Sequence, residues 1–338
     1  MVQAPHRCET PMTRLLPLLT LPLLLAACAT TAPVNDAGTL YHYQLKATQG
    51  DALTLEQALA RVADADIVLV GELHTHPAVH LLQARMLAGL ADTAQADGRP
   101  LVLSMEQFSR ADQPVLDAYL AGRIGEAALI RDGNAWPNYP SDYRPLVEFA
   151  KAHHLPVIAA NAPKPLVSCV GQEGPAWLDQ LPASRRSLLA RTLTLGDDPY
   201  RQKFMASLHH GDADGNARRF AAQTSWDDTM AESMVDYLRS HPGRRIMHIA
   251  GNFHVEGGLG LASRIASRNP ALKVALVVPE LTAQQAGKEQ AAAAGRVADV
   301  RVGIAPLPER WLNADEMKQD MGALHQSRSR DCSQWLQP

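Results

Sequence analysis

Five short and almost uninterrupted apolar runs constrain the fold of this chain more than any other feature of its sequence. Polar or turn residues bound each run. A strand with one face in water alternates apolar and polar residues, whereas a strand buried on both faces is apolar almost throughout. The runs therefore predict central strands of a parallel sheet that is covered on both sides. They lie at 66–72, 100–107, 155–163, 244–254 and 272–280.

Segments with helical periodicity separate the apolar runs. They lie at 77–91, 112–121, 144–153, 177–192, 217–240 and 257–268. Strands that alternate with helices are typical of the α/β class. We therefore expect a mostly parallel central sheet flanked by helices, with a helical insertion at about 165–240 between the third and fourth core strands. Residues 296–304 could add an edge strand, and 287–295 an exposed loop or short helix.

The N-terminal segment predicts export and not part of the fold. Arg14 precedes an apolar run at 15–25. This run is too short to cross a bilayer, which takes about 20 apolar residues, but it suits the core of a signal peptide. Residues 25–28, Leu-Ala-Ala-Cys, resemble a bacterial lipobox, in which the cysteine is lipidated and becomes the mature N-terminus. An ordinary secretory signal with a chance cysteine is the alternative.

The lipobox sets the expected location and divisions of the chain. Ala29, and not an aspartate, follows Cys28, a pattern that resembles sorting to the outer membrane. We expect a protein anchored there by its lipid and facing the periplasm. The expected divisions are a signal peptide at 1–27, a lipidated N-terminus and tether at 28–50, an α/β domain at 51–310 and a C-terminal tail at 311–338.

Composition excludes some classes of protein. The net charge is −3 and the basic residues are scattered, so no basic field for nucleic acid is present. Cys169 and Cys332 are the only cysteines after Cys28, and no CxxC or CxxCH occurs, which argues against a zinc ribbon and covalently attached c-type haem. In an oxidising compartment these two cysteines could pair, but their spacing leaves this open.

Acidic and imidazole side chains follow the apolar runs. The carboxyl ends of parallel strands lie at one edge of a sheet, where ligand sites form. We therefore expect these side chains to share one site. If the first strand stays extended through its end, Glu72 and His74 face the same side of the sheet. The residues at or just after the run ends are Glu72, His74, Glu106, Asn161, His254 and Glu280.

Two further histidines follow the first run. Pro77 favours an extended His76 and a helix that begins near it. His80 would then lie on the first turn of this helix and face the same crevice. A structural, hydrogen-bonded imidazole is the alternative for each. The later loop "VEGGLG" lacks the Lys-Ser/Thr pair of a phosphate-binding loop, so we exclude a nucleoside triphosphate site.

Six segments, taken together and in this order, resemble the ChaN-like haem-binding lipoproteins. That family belongs to a superfamily that also contains Tiki-type metalloproteases and TraB-like proteins. No single segment decides the resemblance, which spans residues 55–280. The segments are Gly71-Glu72-Leu73-His74, "SMEQFSRADQPVLDAYLAG", "YPSDYRPLVEFA", "IAANAP", "AAQTSWDDTMAES" and "IAGNFHVEGGLG".

The superfamily resemblance implies one site that carries hydrolytic chemistry. Its hydrolases have two GxxH motifs and a separate acid, which match His74 and His254 with Glu72 or Glu106. Imidazoles and carboxylates could hold zinc, manganese or iron with positions open to water. Such a metal lowers the pKa of its bound water, and Glu106 could act as general base.

Two acids of the "SWDDTMAES" segment are further candidates for this site. Asp227 and Asp228 could be ligands or could orient other groups. Alternatively, they simply favour the dipole at a helix N-terminus that Thr224 or Ser225 caps. Thr75 stands after His74, where an acid would have strengthened a metal site.

The ChaN-like resemblance implies a non-covalent haem carrier that dimerises around the porphyrin. A tyrosine ligates the iron in such proteins, and Tyr143, or else Tyr139, matches in "NYPSDYRPL". Phenolate is a hard donor that suits ferric iron. The alternative is that these tyrosines and Trp136 only pack the start of a helix. Further candidates are His209 and His210, to reach across a dimer, and Arg131 and Arg144, to meet the propionates.

Two functions follow as hypotheses. The first is an outer-membrane lipoprotein that binds haem between two protomers in haem or iron acquisition, with an outer-membrane haem receptor as a possible partner. It predicts an exposed apolar face from which Tyr143 points outward. The second is a metal-dependent hydrolase or peptidase of the Tiki type. It predicts that Glu72, His74, Glu106 and His254 converge.

Overall fold

The computed structural model describes residues 38–208, 211–281, 297–326 and 331–337. The expected signal peptide, Cys28, His209, His210 and the segment 287–295 lie outside these residues. Within them, no helix combines the length and the apolar character that a membrane crossing requires.

A sheet of eight strands forms the centre of the fold. The strands are β1 (Tyr43–Ala47), β2 (Ala52–Leu53), β3 (Ile67–Glu72), β4 (Leu101–Ser109), β5 (Val157–Asn161), β6 (Arg245–Gly251), β7 (Val274–Leu281) and β8 (Val300–Ile304). Their order across the sheet is β2-β1-β8-β7-β3-β6-β4-β5. The six strands from β8 to β5 run parallel, and β1 is antiparallel to both of its neighbours. The prediction of a mostly parallel α/β sheet is confirmed.

Helices cover both faces of this sheet. They are α1 (Leu55–Arg61), α2 (Pro77–Asp97), α3 (Gln113–Leu120), α4 (Glu126–Asp132), α5 (Arg144–Ala152), α6 (Lys164–Glu173), α7 (Ala183–Arg186), α8 (Pro199–Ala206), α9 (Ala213–Ser240), α10 (Asn252–Val255), α11 (Leu261–Arg268) and α12 (Ala314–Gln326). Helices α6 to α9 form the expected insertion between the third and fourth core strands. The helix expected at 177–192 is instead a 3-10 turn, Pro175–Gln180, followed by the short α7.

The core lies in two layers, one on each face of the sheet. Along β3, Val68 and Val70 pack into the layer that contains α2 and α5. Ile67 and Leu69 pack into the opposite layer with α9 and α11. Successive side chains of a strand point to opposite faces, so both faces of β3 are buried, which explains its continuous apolarity.

The sheet extends further at one side than the sequence suggests. Strand β1 lies inside the expected tether at 28–50, because Leu45 and Ala47 are buried against the core. It pairs with β8 along five residues. Strand β8 is therefore an internal strand between β1 and β7, and the expectation of an edge strand at 296–304 is wrong.

A disulfide ties the C-terminal segment to the helical insertion. Cys169 of α6 and Cys332 are bonded, with their Cα atoms 5.7 Å apart. Cys332 begins a 3-10 turn that ends at Trp335. Both cysteines are buried in a cluster with Trp177 and Leu181. Part of the expected tail at 311–338 is thus packed onto the domain.

Candidate active site and ligand cleft

The strand-end residues meet at the carboxyl edge of the sheet. Strand β6 lies between β3 and β4, and its Gly251 pairs with Glu72. The loop after β6 therefore places His254 beside the ends of β3 and β4. His254 Nε2 lies 3.8 Å from Glu106 Oε1. The register brings Glu72, Glu106 and His254 into one neighbourhood, as their positions in the sequence indicate.

The Glu72 carboxylate is the centre of a buried network. Its Oε1 accepts hydrogen bonds from His74 Nδ1 at 2.7 Å and from the Tyr143 hydroxyl at 2.7 Å. Gln107 Nε2 donates to the same oxygen at 3.2 Å, and Gln83 Nε2 donates to Oε2 at 2.7 Å. Burial by itself raises the pKa of Glu72, but the hydrogen bond from His74 and its other partners outweigh burial and lower the pKa.

His74 is fixed through one ring nitrogen, and its side chain is 47% exposed. Partial burial lowers the pKa of His74, whereas the hydrogen bond to Glu72 and the charge of Glu106 raise it. The net shift of this pKa is upward. Because Nδ1 faces Glu72, Nε2 is the nitrogen available to a ligand. A carboxylate on the far side of an imidazole holds the ring in one orientation and increases its basicity.

His254 forms a second acid–imidazole pair with Asp227. The distance from His254 Nδ1 to Asp227 Oδ1 is 2.8 Å, and the Tyr200 hydroxyl donates to Asp227 Oδ2 at 2.7 Å. Burial alone would lower the pKa of His254, but the carboxylates of Asp227 and Glu106 raise it to about 9. The ring is therefore an imidazolium at neutral pH.

Asp227 lies in the interior of the 28-residue helix α9 and not at a helix N-terminus. The interpretation of "SWDDTMAES" as a capped helix start is therefore wrong. The loop after His254 approaches this part of α9 closely at Gly260. A Cβ atom at Gly260 would lie 2.9 Å from Asp227 Oδ1, so the pair needs a glycine there. Asp228 points elsewhere and binds Thr194 and Arg268.

Glu106 lies in an irregular part of β4. The register against β5 shifts between Met105 and Ser109. In a regular strand, Glu106 and Gln107 would face opposite sides, but both line the same cleft here. Glu106 Oε2 accepts the backbone N–H of Gly251 at 2.6 Å.

The second GxxH glycine has a steric role. A Cβ atom at Gly251 would lie 3.1 Å from His74 Nε2 and 3.6 Å from Glu106 Oε2. Both distances are close to or inside van der Waals contact. Gly251 therefore lets the His74 ring and the Glu106 carboxylate lie over the end of β6.

A cleft of about 880 Å³ opens above these residues. His74, Glu106 and His254 lie on its floor, and Trp136, Trp226 and Trp335 lie along its walls. Lys164 and Arg185 also line it. The cleft therefore combines an acid–imidazole floor, aromatic walls and two cations.

His76 and His80 do not line this cleft. His76 is fully buried, and its Nε2 bonds to the Ala305 carbonyl at 2.8 Å. The Nδ1 of His80 lies 2.9 Å from Gln83 Oε1. Both histidines are therefore structural, hydrogen-bonded imidazoles, which is the alternative to a role in the site. His80 also supports the Glu72 network through Gln83.

The tyrosines and arginines that the resemblance assigns to haem are buried or paired with acids in this structure. Tyr139 and Tyr143 lie in a π-helical turn before α5, and both are fully buried. Tyr143 points inward to Glu72, and not outward from an exposed face, and burial raises the pKa of both phenols well above their ordinary value. Arg144 pairs with Glu126 at 2.5 Å, and Arg131 with Asp132 at 2.7 Å.

The five residues expected to bind a metal form two pairs joined by Glu106. Within the described residues, no group of three or more His, Cys, Asp and Glu side chains is arranged to hold a metal ion. Several residues of the site were not predicted, among them Gln83, Gln107, Tyr200 and Trp335. Gln107 adjoins Glu106, but only the register shift of β4 turns it toward the cleft.

The fold and the paired acid–imidazole site are those of an α/β protein with a ligand cleft at the carboxyl edge of its sheet. A family model described as "haem-binding uptake, Tiki superfamily, ChaN" matches residues 58–265. This match spans more than half of the chain, so the chain belongs to the ChaN family of haem-binding uptake proteins.

Solved structures are similar to this chain at low sequence identity. One is ChaN of Campylobacter jejuni with cofacially bound haem, at a TM-score of 0.58 and 14% identity, with 78% of this chain and 97% of that chain covered. An erythromycin esterase, EreC, in its open conformation has a TM-score of 0.44 and 13% identity, with 82% and 87% covered. No curated protein matches the chain.

Proposed function

We propose that this protein binds haem in the cleft at the carboxyl edge of its sheet. The observation that carries the proposal is the match of residues 58–265 to a haem-binding family. The ChaN of C. jejuni, which has the same fold, binds haem cofacially. Haem here is cargo that the protein holds without a covalent bond.

The chemistry of the cleft fits such a ligand. Its volume of about 880 Å³ lies in the range of small-molecule and cofactor sites, about 300–1,000 Å³. Trp136 and Trp226 offer flat apolar contact to a porphyrin ring. Lys164 and Arg185 carry the charge that complements its propionates.

We propose His74 as the iron ligand. It is the exposed imidazole of the cleft, and Glu72 fixes its Nδ1 and leaves Nε2 available. Tyr143 and Tyr139 are the alternative ligands. Either would require the turn Tyr139–Tyr143 to move a buried hydroxyl into the cleft, and Tyr143 would also leave Glu72.

A haemin titration of residues 29–338 tests this proposal through the Soret and charge-transfer bands. We expect saturable binding that His74→Gln weakens and alters in spectrum. His241→Gln, at an exposed histidine outside the cleft, is the matched control. If the parent has a tyrosinate-like spectrum and Tyr143→Phe loses it, the iron ligand is Tyr143 and not His74. Binding no stronger than to an unrelated protein would refute haem binding.

We further propose that the protein is a lipoprotein of the outer membrane that faces the periplasm and takes part in haem or iron acquisition. The lipobox at Cys28 supports the anchor. The disulfide between Cys169 and Cys332 supports an oxidising compartment, because disulfides persist there. An outer-membrane haem receptor is the partner that this location suggests. Cys28→Ala should move the protein out of the membrane fraction, and its retention there would contradict the anchor.

Hydrolysis at the same floor is a second candidate function. The observation that favours it is Glu106 beside the His254 imidazolium. Glu106 can take a proton from water as its oxygen attacks a carbonyl carbon, and His254 can donate a proton to the leaving group. Hydrolysis of a chromogenic ester, compared between the parent and Glu106→Gln, tests this function. An effect of chelator on the parent would show whether a metal takes part, and equal rates in both proteins would reject the candidate.

A further inference from the structure

The C-terminal segment 331–337 supplies a wall of the cleft, although it lies outside the family match at 58–265. Helix α6 begins with Lys164, which lines the cleft, and carries Cys169 near its middle. The disulfide joins Cys169 to Cys332, three residues before Trp335. The segment is therefore held covalently to the helix that forms part of the rim.

Trp335 is placed for contact with a ligand. Its ring packs, as Trp226 and Leu188 do, on the buried cluster that contains the two bonded cysteines. The Arg185 guanidinium lies over the ring, 5.3 Å from its centre. The indole N–H is buried and makes no hydrogen bond within the described part of the chain.

The charges around Trp335 favour an anionic ligand. Among the described residues, neither Arg185 nor Lys164 forms an ion pair with a carboxylate. Asp112 also lines the cleft, and its carboxylate accepts hydrogen bonds from Ser109 and Asn134. Two cations with no carboxylate partner thus line the same cleft as this aromatic surface, and one of them lies over the Trp335 ring. This combination complements a flat ring that bears carboxylates.

We propose that Trp335 and Arg185 form a subsite that recognises a carboxylated planar ring, and that the disulfide holds this subsite in place. The inference rests on the proposed function, since haem is such a ring. It assigns part of the ligand specificity of the cleft to Trp335, which lies in a C-terminal segment outside the family match at 58–265. It concerns the porphyrin and its carboxylates, and not the iron.

Metal-free protoporphyrin IX is therefore the main probe, with quenching of tryptophan fluorescence as the readout. Trp335→Ala should raise its Kd about tenfold, because a stacked aromatic–cation surface is worth about 1–2 kcal/mol, and 1.4 kcal/mol is tenfold. Trp311→Ala is the matched control. Arg310 lies 4.8 Å from the Trp311 ring, yet this pair does not line the cleft. We expect the control to bind as the parent does.

The role of Arg185 is tested with the dimethyl ester of protoporphyrin IX in detergent. Arg185→Gln should weaken binding of the acid several-fold and leave binding of the ester unchanged. Equal effects on both ligands would contradict recognition of carboxylates. Cys169→Ser with Cys332→Ser should weaken binding as Trp335→Ala does. Parent-like binding by this double variant would refute the role of the disulfide.

The same measurements distinguish a failure of the Trp335–Arg185 subsite from a failure of haem binding. A parent that binds porphyrin, with an unchanged Kd in Trp335→Ala, would overturn the subsite and leave the haem function in place. A parent that binds neither haemin nor protoporphyrin IX would overturn both. Near-ultraviolet circular dichroism checks that each variant is folded. If Trp335→Ala is not folded, Trp335→Phe replaces it, with an expected loss of about threefold that follows from its smaller ring.

Discussion

At the residue scale, the two histidines of the cleft floor differ in what surrounds them. His74 is half exposed and bonds to Glu72 through one nitrogen. His254 is buried between Asp227 and Glu106. An exposed imidazole can exchange a proton for a ligand, whereas a buried imidazolium beside two carboxylates supplies a positive charge, and gives up its proton only to the leaving group of a substrate. Their neighbours therefore suit the first to binding and the second to organising the floor.

The charge of His254 predicts how the stability of the fold depends on pH. The pKa is about 9 in the folded protein and about 6.5 in an unfolded chain. The stabilisation is therefore complete below pH 6.5 and is lost as pH rises through 9. The pKa difference corresponds to at most about 3 kcal/mol. Lys203, which also faces His254, lowers this pKa and limits the effect.

Urea unfolding at pH 6.5, 8 and 10 measures this dependence. Asp227→Asn should flatten the decline in stability between pH 6.5 and 10 relative to the parent. Asp236→Asn, at a partly exposed position of the same helix, is the control and should keep the parent slope. An equal slope in parent and Asp227→Asn would contradict the assigned pair. The window begins at pH 6.5 because His248, with a pKa lowered to about 3, contributes only below it.

Gly251 gives a steric prediction at the same scale. Gly251→Ala places a methyl group 3.1 Å from His74 Nε2, so the ring must shift. Such overpacking typically costs about 1–3 kcal/mol. We expect a loss of stability of this size, together with weaker haemin binding, measured by urea unfolding and by titration. Gly125→Ala meets no atom within 4 Å and should have little effect on either quantity. A variant as stable as the parent would show that His74 can rearrange freely.

At the element scale, the sequence predicts what depends on periodicity and strand ends. The five core strands follow from apolar runs, and Glu72, Glu106 and His254 follow from the rule that parallel strands end at one edge. Asp227 could be singled out, but its pairing with His254 depends on where a 28-residue helix crosses the loop after β6. The inward direction of Tyr143 likewise depends on a π-helical turn that leaves no clear local signal.

The N-terminal strand gives a prediction about the domain boundary. The expected domain at 51–310 omits β1, whose Leu45 and Ala47 are buried and which covers β8 along five residues. In a chain that starts at residue 51, the free energy of unfolding should fall by at least about 2 kcal/mol, which is the contribution of one buried leucine. It should also self-associate, because β8 becomes an open edge. Thermal unfolding and sedimentation velocity test this, with a chain that starts at residue 38 as control. Equal melting temperatures would show that β1 is dispensable.

At the scale of the whole molecule, an open cleft is the feature that bears on assembly. A flat ring that packs against the tryptophan walls of an open cleft leaves part of its surface exposed to water. A second copy of the protein can cover that surface by burying apolar area. From this exposed surface of a bound ring, we expect a haem-linked homodimer of this chain.

Sedimentation velocity with increasing haemin tests the dimer. We expect a monomer without haemin and a dimer that forms in proportion to bound haem, with absorbance at the Soret band moving with the dimer. His74→Gln should lower haem occupancy and the dimer fraction together, because the exposed surface of bound haem drives association. Zinc protoporphyrin should promote the dimer as well if the ring, and not iron chemistry, provides the contact. A haem-loaded species that sediments as a monomer would mean that one protomer encloses its ligand alone.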